Sequence, residues 1–105
     1  MSLKEFRDML LTVTGRVYHY QAAKEGGDAY LVWQEVGGRA LAASDRRKEV
    51  IREVQVEFYT SVEFDPLLER LMEVLEAHEI AFEEPVSGFD PDTGKIRHIL
   101  ECEAV

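Results

Sequence analysis

The sequence is poor in the residues that build most catalytic and metal sites. It has one cysteine, Cys102, and three histidines, His19, His78 and His98, which are dispersed along the chain. A single cysteine cannot form an internal disulfide, which agrees with a reducing compartment, and its apolar parity in a strand predicts a core residue. Glycine-rich phosphate loops, paired cysteine ligands and the His-Glu zinc helix motif are missing. We therefore expect no enzyme activity, no cofactor and no bound metal.

Long apolar stretches are also missing. No apolar run approaches the ~20 residues that a membrane-spanning helix needs. The first six residues mix charges with apolar side chains, which excludes an ordinary signal peptide. We expect a cytoplasmic protein without a membrane partner.

Positive charge is scarce, and it is unevenly placed. The chain has 12 basic and 21 acidic residues, a net charge of −9. Residues 1–48 carry eight basic and six acidic side chains, net +2, and residues 49–105 carry four and fifteen, net −11. An acidic surface disfavours nucleic acid as the primary ligand. It allows the acidic part of one copy to contact the basic part of another.

The patterns that are present predict one α+β domain over residues 1–105. A strand alternates from Val54 to Thr60 and leads into a helix at 66–78, which Asp65 caps. A capping box at Ser2 begins a first helix, at 3–14. Further strands are predicted at 16–21, 30–36, 80–83 and 95–105. The order is α-β-β-β-α-β-β, a mostly antiparallel sheet of about five strands with two helices packed on it.

The turn signals lie between these elements. Gly26 and Gly27 favour a hairpin between the first two strands, and Gly37 with Gly38 is expected to end the second strand. Residues 87–94 form a turn cluster. Asp90 and Asp92 superficially resemble the start of a calcium loop, but the closing glutamate of an EF-hand is missing, so that we interpret them as turn residues.

Residues 39–48 form a connection of small and then basic side chains with no clear period. Connections of this length are uncommon in compact domains unless they have a function. We expect this arm to contact a neighbouring subunit or another protein, through Arg39, Leu41, Arg46, Arg47 and Lys48. The alternative is a basic patch for nucleic acid at residues 46–48.

Aromatic side chains on the strands are numerous for so small a sheet. Two helices over five strands are expected to leave some of them uncovered, and aromatic residues are enriched at protein interfaces. Among Tyr18, Tyr20, Tyr30, Trp33 and Tyr59, we expect Tyr20, Tyr30 and Trp33 to form a second part of the interface.

The layout resembles the tail terminator family of long-tailed bacteriophages and prophages, whose members are also called tail completion or head-tail joining proteins. The resemblance covers nearly the whole chain and consists of strand and helix patterns without a catalytic signature. It is carried by the helix stop at 12–15, the strand at 17–19, the segment Tyr30-Leu31-Val32-Trp33, the strand at 55–60 ending in Phe58-Tyr59-Thr60, the helix at 65–75, the short strand at 79–82, and the closing strand with His98 and Glu101.

This resemblance implies a structural protein that forms a ring of identical subunits, a hexamer, on the end of the tail tube. Such a ring stops tube polymerisation and provides the surface that joins the head. Its partners would be other copies of itself, the tail tube protein and the head-tail connector, in the bacterial cytoplasm during assembly and then in the virion neck. The alternatives from the residues are a small acidic inhibitor of a mobile element that imitates nucleic acid, and a small-molecule enzyme with its site between helix and sheet.

Overall fold

A computed structural model describes residues 1–22, 27–42 and 48–104, and of residues 39–42 and 48–50 it describes the backbone alone. Within these residues, two helices and a six-stranded sheet form an α+β fold, which confirms the predicted class with one strand more than expected. The elements in chain order are α1 Leu3–Leu10, β1 Val17–His19, β2 Ala29–Ala42, β3 Lys48–Thr60, α2 Pro66–Ala77, β4 Ala81–Phe82, β5 Val86–Asp90 and β6 Lys95–Ala104.

The sheet has the order β1-β2-β3-β6, and β4 and β5 both pair with β6 on its outer side. All of these pairs are antiparallel except β1 with β2, which is parallel, with Val17 opposite Leu31. The predicted hairpin between the first two strands is therefore wrong. Tyr20 follows β1 directly and has a left-handed backbone conformation, with a φ of 72°. The chain therefore turns away at this point instead of reversing beside β1.

The core lies on one face of the sheet, beneath both helices. Alternation along β3 places Val54, Val56 and Phe58 on this face, fully buried against Leu71 and Leu75 of α2. The remaining buried members of the core come from α1, the segment after it, the neighbouring strands and the end of α2: Phe6, Met9, Leu10, Val13, Leu31, Trp33, Val74, Ile80, Leu100, Cys102 and Ala104. Cys102 is buried as predicted, and burial raises the pKa of its thiol to about 12.

Both helices begin at the predicted caps. Ser2 accepts a hydrogen bond from the Glu5 amide at 3.1 Å, and Glu5 accepts one from the Ser2 amide at 3.0 Å. Asp65 accepts from the Leu67 amide at 2.9 Å and from the Thr60 hydroxyl at 2.6 Å, which joins the end of β3 to the start of α2. The first helix ends at Leu10, earlier than predicted, where the Thr12 hydroxyl donates to the Met9 carbonyl at 2.6 Å in a following turn.

The hairpin of β2 and β3 is longer than the rest of the sheet. β6 accompanies β3 as far as the pair Arg52–Ala104, whereas β2 and β3 remain paired to Ala42–Lys48. The expectation that Gly37 and Gly38 end the strand is wrong, because a register shift at Val36 is followed by regular pairing of Gly37 with Glu53 and of Gly38 with Arg52. We call the projecting part, residues 37–42 and 48–52, the arm. The molecule measures 50 Å in its long direction and 25 and 22 Å in the other two.

The predicted turn at 87–94 is also partly wrong. Residues 86–90 form β5, and the turn itself is confined to residues 91–94. Asp90 closes it by accepting from the Asp92 amide and the Thr93 hydroxyl, and Gly94 supplies a positive φ of 72°. The polar, glycine-containing sequence of β5 has no strand pattern of its own. The strand forms because it pairs with β6.

We expect Leu71→Ala to lower the free energy of unfolding by ~2–5 kcal/mol, because it opens a cavity beneath α2 where Leu71 is fully buried. Denaturation monitored by circular dichroism measures this. Glu73→Ala on the exposed side of the same helix is the control and should stay within about 0.5 kcal/mol of wild type. Equal effects of the two changes would contradict the assignment of the core.

Candidate functional site

The arm contains three of the residues that the sequence assigns to an interface. Arg39 lies opposite Ile51, Leu41 opposite Glu49, and Lys48 opposite Ala42. Arg46 and Arg47 lie outside the described residues. Between residues 37 and 52 the sequence has five basic and two acidic side chains, net +3. The remaining residues carry −12, and the two parts sum to the net charge of −9. The arm is thus a positively charged projection from an acidic body.

The expectation that all three predicted aromatic rings are uncovered is wrong for Tyr30 and Trp33. They are 4% and 3% exposed within their own chain. Trp33 packs against Phe6 beneath the helices, and Tyr30 stacks on Tyr59 with ring centroids 4.9 Å apart on the opposite face. The prediction failed because aromatic rings shield one another from solvent, in addition to the cover that the two helices provide. Only Tyr20, at 58% exposure, keeps an accessible ring.

Tyr20 belongs to a small polar cluster at the β1 edge. Its ring stacks on that of His19 at 3.9 Å, and its hydroxyl donates to Glu35 at 2.6 Å. His19 Nε2 also lies against Glu35. The Tyr20 hydrogen bond lowers the pKa of the Glu35 carboxyl, against the opposing effect of burial. These contacts hold Tyr20 in its left-handed conformation after β1, and we interpret the role of the cluster as structural.

The face of the sheet opposite the helices carries a hollow of about 360 Å³. Tyr30, Tyr59 and the ion pair between Arg97 Nε and Glu57, at 2.9 Å, form its floor. Burial raises the pKa of Tyr59, and the hydrogen bond that its hydroxyl donates to Glu57 adds to this. These floor groups satisfy one another, so that the hollow presents an aromatic floor with a paired Arg97 and Glu57, and Asp90 and Asp92 also line it.

A second hollow, of about 430 Å³, lies where β4 meets β6, near the base of the arm. Four glutamates line it, Glu53, Glu83, Glu101 and Glu103, together with Ala81, Phe82 and Cys102. Their carboxylates give this end of the body a strongly negative potential.

An apolar groove of about 500 Å³ runs between the first half of α2 and β5. Sequence reasoning missed it. Its apolar lining is Phe64, Leu68, Met72, Phe89 and Ile96, with His98 at its floor, and its acidic members are Glu63, Asp65 and Glu69. Phe64 and Phe89 are 93% and 68% exposed. The sequence contained one signal for this groove: each of these phenylalanines stands in a polar turn segment, where an apolar ring has no local structural role.

His98 joins the groove to the core. Its ring stacks on Phe58 with centroids 5.8 Å apart, and its Nδ1 lies 2.6 Å from the Ser87 hydroxyl on β5. Burial lowers the pKa of His98 below its ordinary value, and the charge of Asp65 acts in the opposite direction. The sequence placed His98 on an apolar strand face, and the structure confirms this.

Within the part of the chain that the structure describes, no three His, Cys, Asp or Glu side chains are grouped so that they could hold a metal ion. Neither described helix is long and apolar enough to cross a bilayer.

A scan of protein families finds none that matches the chain, and a search of curated proteins finds no significantly similar one.

Because its pKa is lowered in the folded state, His98 binds a proton more readily when the chain is unfolded. Stability should therefore fall as the pH drops through the ordinary histidine value of 6.5. We expect His98→Gln to lose less melting temperature than wild type between about pH 7.5 and pH 5.5. His78→Gln, outside the groove, controls for the loss of one imidazole. Identical pH slopes for wild type and His98→Gln would contradict this assignment.

Proposed function

We propose that this protein is a tail terminator of a long-tailed phage or prophage, a non-enzymatic ring subunit that caps the tail tube and offers the surface for head joining. The observation that supports it best is the arm, which continues past the end of β6 as a two-stranded projection whose residues 37–42 and 48–52 carry a net charge of +2. The proposed partners are further copies of the chain, the tail tube protein and the head-tail connector.

The length of the arm suits contact with another molecule. From Arg52 to Lys48, β3 extends beyond the pairing with β6, which corresponds to roughly 13 Å of strand before the hairpin connection. An isolated two-stranded hairpin is marginally stable in water, so that a projection of this kind gains stability when a second surface packs on it. A ring supplies that surface to every subunit at once.

Charge supports the same arrangement. A positive arm on a body of net −12 attracts the body of a neighbour and orients it, because the two surfaces differ in sign. Different surfaces of neighbouring subunits then meet, and such a heterologous contact closes into a ring when its rotation allows.

The second candidate is an acidic inhibitor that imitates nucleic acid. The observation in its favour is the hollow with Glu53, Glu83, Glu101 and Glu103, whose carboxylates resemble a row of phosphates in charge. The mass of the wild-type protein in solution, measured by light scattering, separates the candidates. A ring of several copies supports the terminator, and a stable monomer that binds a nucleic-acid-binding enzyme supports the inhibitor.

We expect Arg39→Glu with Lys48→Glu to abolish tail completion in the phage that encodes this chain, because both changes reverse the charge of the arm. Electron microscopy should find tails of uncontrolled length that are not joined to heads.

The matched control is Lys4→Glu with Arg70→Glu, which makes the same change in net charge at exposed positions of the two helices. It should leave tails of normal length joined to heads. Normal particles with the arm variant, or equal defects with both variants, would contradict a role of the arm in tail completion.

A further inference from the structure

The groove between α2 and β5 is an exposed apolar surface on the described part of the chain. We propose that it receives the arm of a second copy of this chain. The inference deepens the proposed ring function, on which it rests for the closure of the assembly. The docking itself is a property of two copies and can be measured without a phage.

Phe64 is the first reason to treat the groove as a binding surface. It lies at φ 55°, in the left-handed region, with 93% of its surface exposed. For a bulky side chain this conformation is a true outlier with a cost of roughly 1–2 kcal/mol, and an exposed ring gains little from burial to offset it. Such strain persists at sites with a function. Asp65, the cap of α2, follows directly, so that the turn holds the Phe64 ring at the mouth of the groove.

The chemistry of the groove matches that of the arm. The groove combines an apolar floor of Leu68, Met72 and Ile96 with acidic members, and each carboxylate among its lining residues adds negative charge. The arm combines small and apolar residues with basic ones in its sequence, and the net charge of its residues 37–42 and 48–52 is +2. An apolar contact with an oppositely charged rim gives both affinity and orientation.

The position of the groove excludes the arm of the same chain. The arm leaves the sheet at Arg52, and the groove lies at the other end of the strand, where Thr60 pairs with Ile96. Eight residues of strand separate the two positions, about 26 Å at 3.3 Å per residue. Since the arm also points away from the body, a chain cannot fold its arm back into its own groove. The occupant therefore comes from another copy.

Two surfaces at opposite ends of one molecule make a head-to-tail contact. Each copy then offers one arm and one groove, and assembly continues until the last arm meets the first groove. Disabling the groove on one chain and the arm on another should leave a single productive pairing between the two. This outcome requires that the arm of one chain meets the groove of another, because any interface built from other surfaces would not be restored by mixing.

The experiment uses the full chain in three forms, analysed by light scattering and native mass spectrometry. The groove variant is Phe64→Gly with Phe89→Ser, and the arm variant is Arg39→Glu with Lys48→Glu. We expect each to be monomeric alone and an equimolar mixture to give a 1:1 heterodimer. Leu11→Glu, an exposed apolar position at the end of α1, is the control and should assemble as wild type does.

Folding is checked separately. Glycine adopts a positive φ without the steric cost that phenylalanine has, so Phe64→Gly alone should lose association and melt at or above the temperature of the monomeric arm variant. A charge exchange adds a gain-of-function test. Glu63→Lys with Glu69→Lys in the groove should restore assembly when combined with Arg39→Glu and Lys48→Glu in the arm.

Assemblies of wild-type size from the groove variant would overturn the docking and leave the tail role standing. Failure of the mixture to form a heterodimer would overturn it as well. If the groove variant dissociates and complements the arm variant, but phage carrying it make normal joined tails, the docking stands and the proposed tail function fails.

Discussion

The structure depends on the unequal partnering of β3. On one side, β2 pairs with β3 along its full length. On the other side, β6 pairs with β3 only from Thr60 to Arg52. Val54, Val56 and Phe58 hold the middle of β3 in the core, which anchors the strand firmly. The part before Arg52 lacks that anchor in β6 and projects as the arm. A single strand thus serves both as the centre of the domain and as the base of the arm.

The two ends of β3 also differ in electrostatic character. The arm is positive, whereas the end near Thr60 leads into the capped start of α2, with Glu63, Asp65 and Glu69 around an apolar groove. Because strand pairing keeps β3 extended between its two ends, the two surfaces stay apart within one molecule. This separation is what the proposed association between molecules requires. The ring and the tail role proposed here both build on this separation of charge and shape.

The sequence predicted what local physical chemistry determines. The alternation of Val54 to Thr60, the Ser2 capping box and the Asp65 cap all specify their elements through neighbouring residues, and the structure confirms them. The parallel pairing of β1 escaped prediction because it joins residues far apart in sequence, such as Val17 and Leu31, and no local pattern distinguishes it from a hairpin.

The candidate site was less accessible to prediction than the fold. The arm could be located from its length and charge, but Gly37 and Gly38 pointed to a break where a bulge continues the hairpin. The groove could not be predicted, since its lining comes from α2, β5 and β6, which are separate in sequence and meet only in the folded chain. Burial of Tyr30 also depends on a neighbour across the sheet, Tyr59, which no local pattern specifies.

Covalent trapping between arm and groove tests the central claim most directly. One chain carries Ala40→Cys in the arm and another carries Gly88→Cys in the lining of the groove, which keeps the charges and rings of both surfaces, and the native Cys102 stays unreactive because it is buried with a raised pKa. Under mild oxidation the account predicts a disulfide-linked heterodimer from the mixture and a ladder of covalent oligomers from a chain with both substitutions. A mixture that oxidises only to homodimers or stays monomeric, while the protein remains folded, would contradict the claim that a second copy covers the arm.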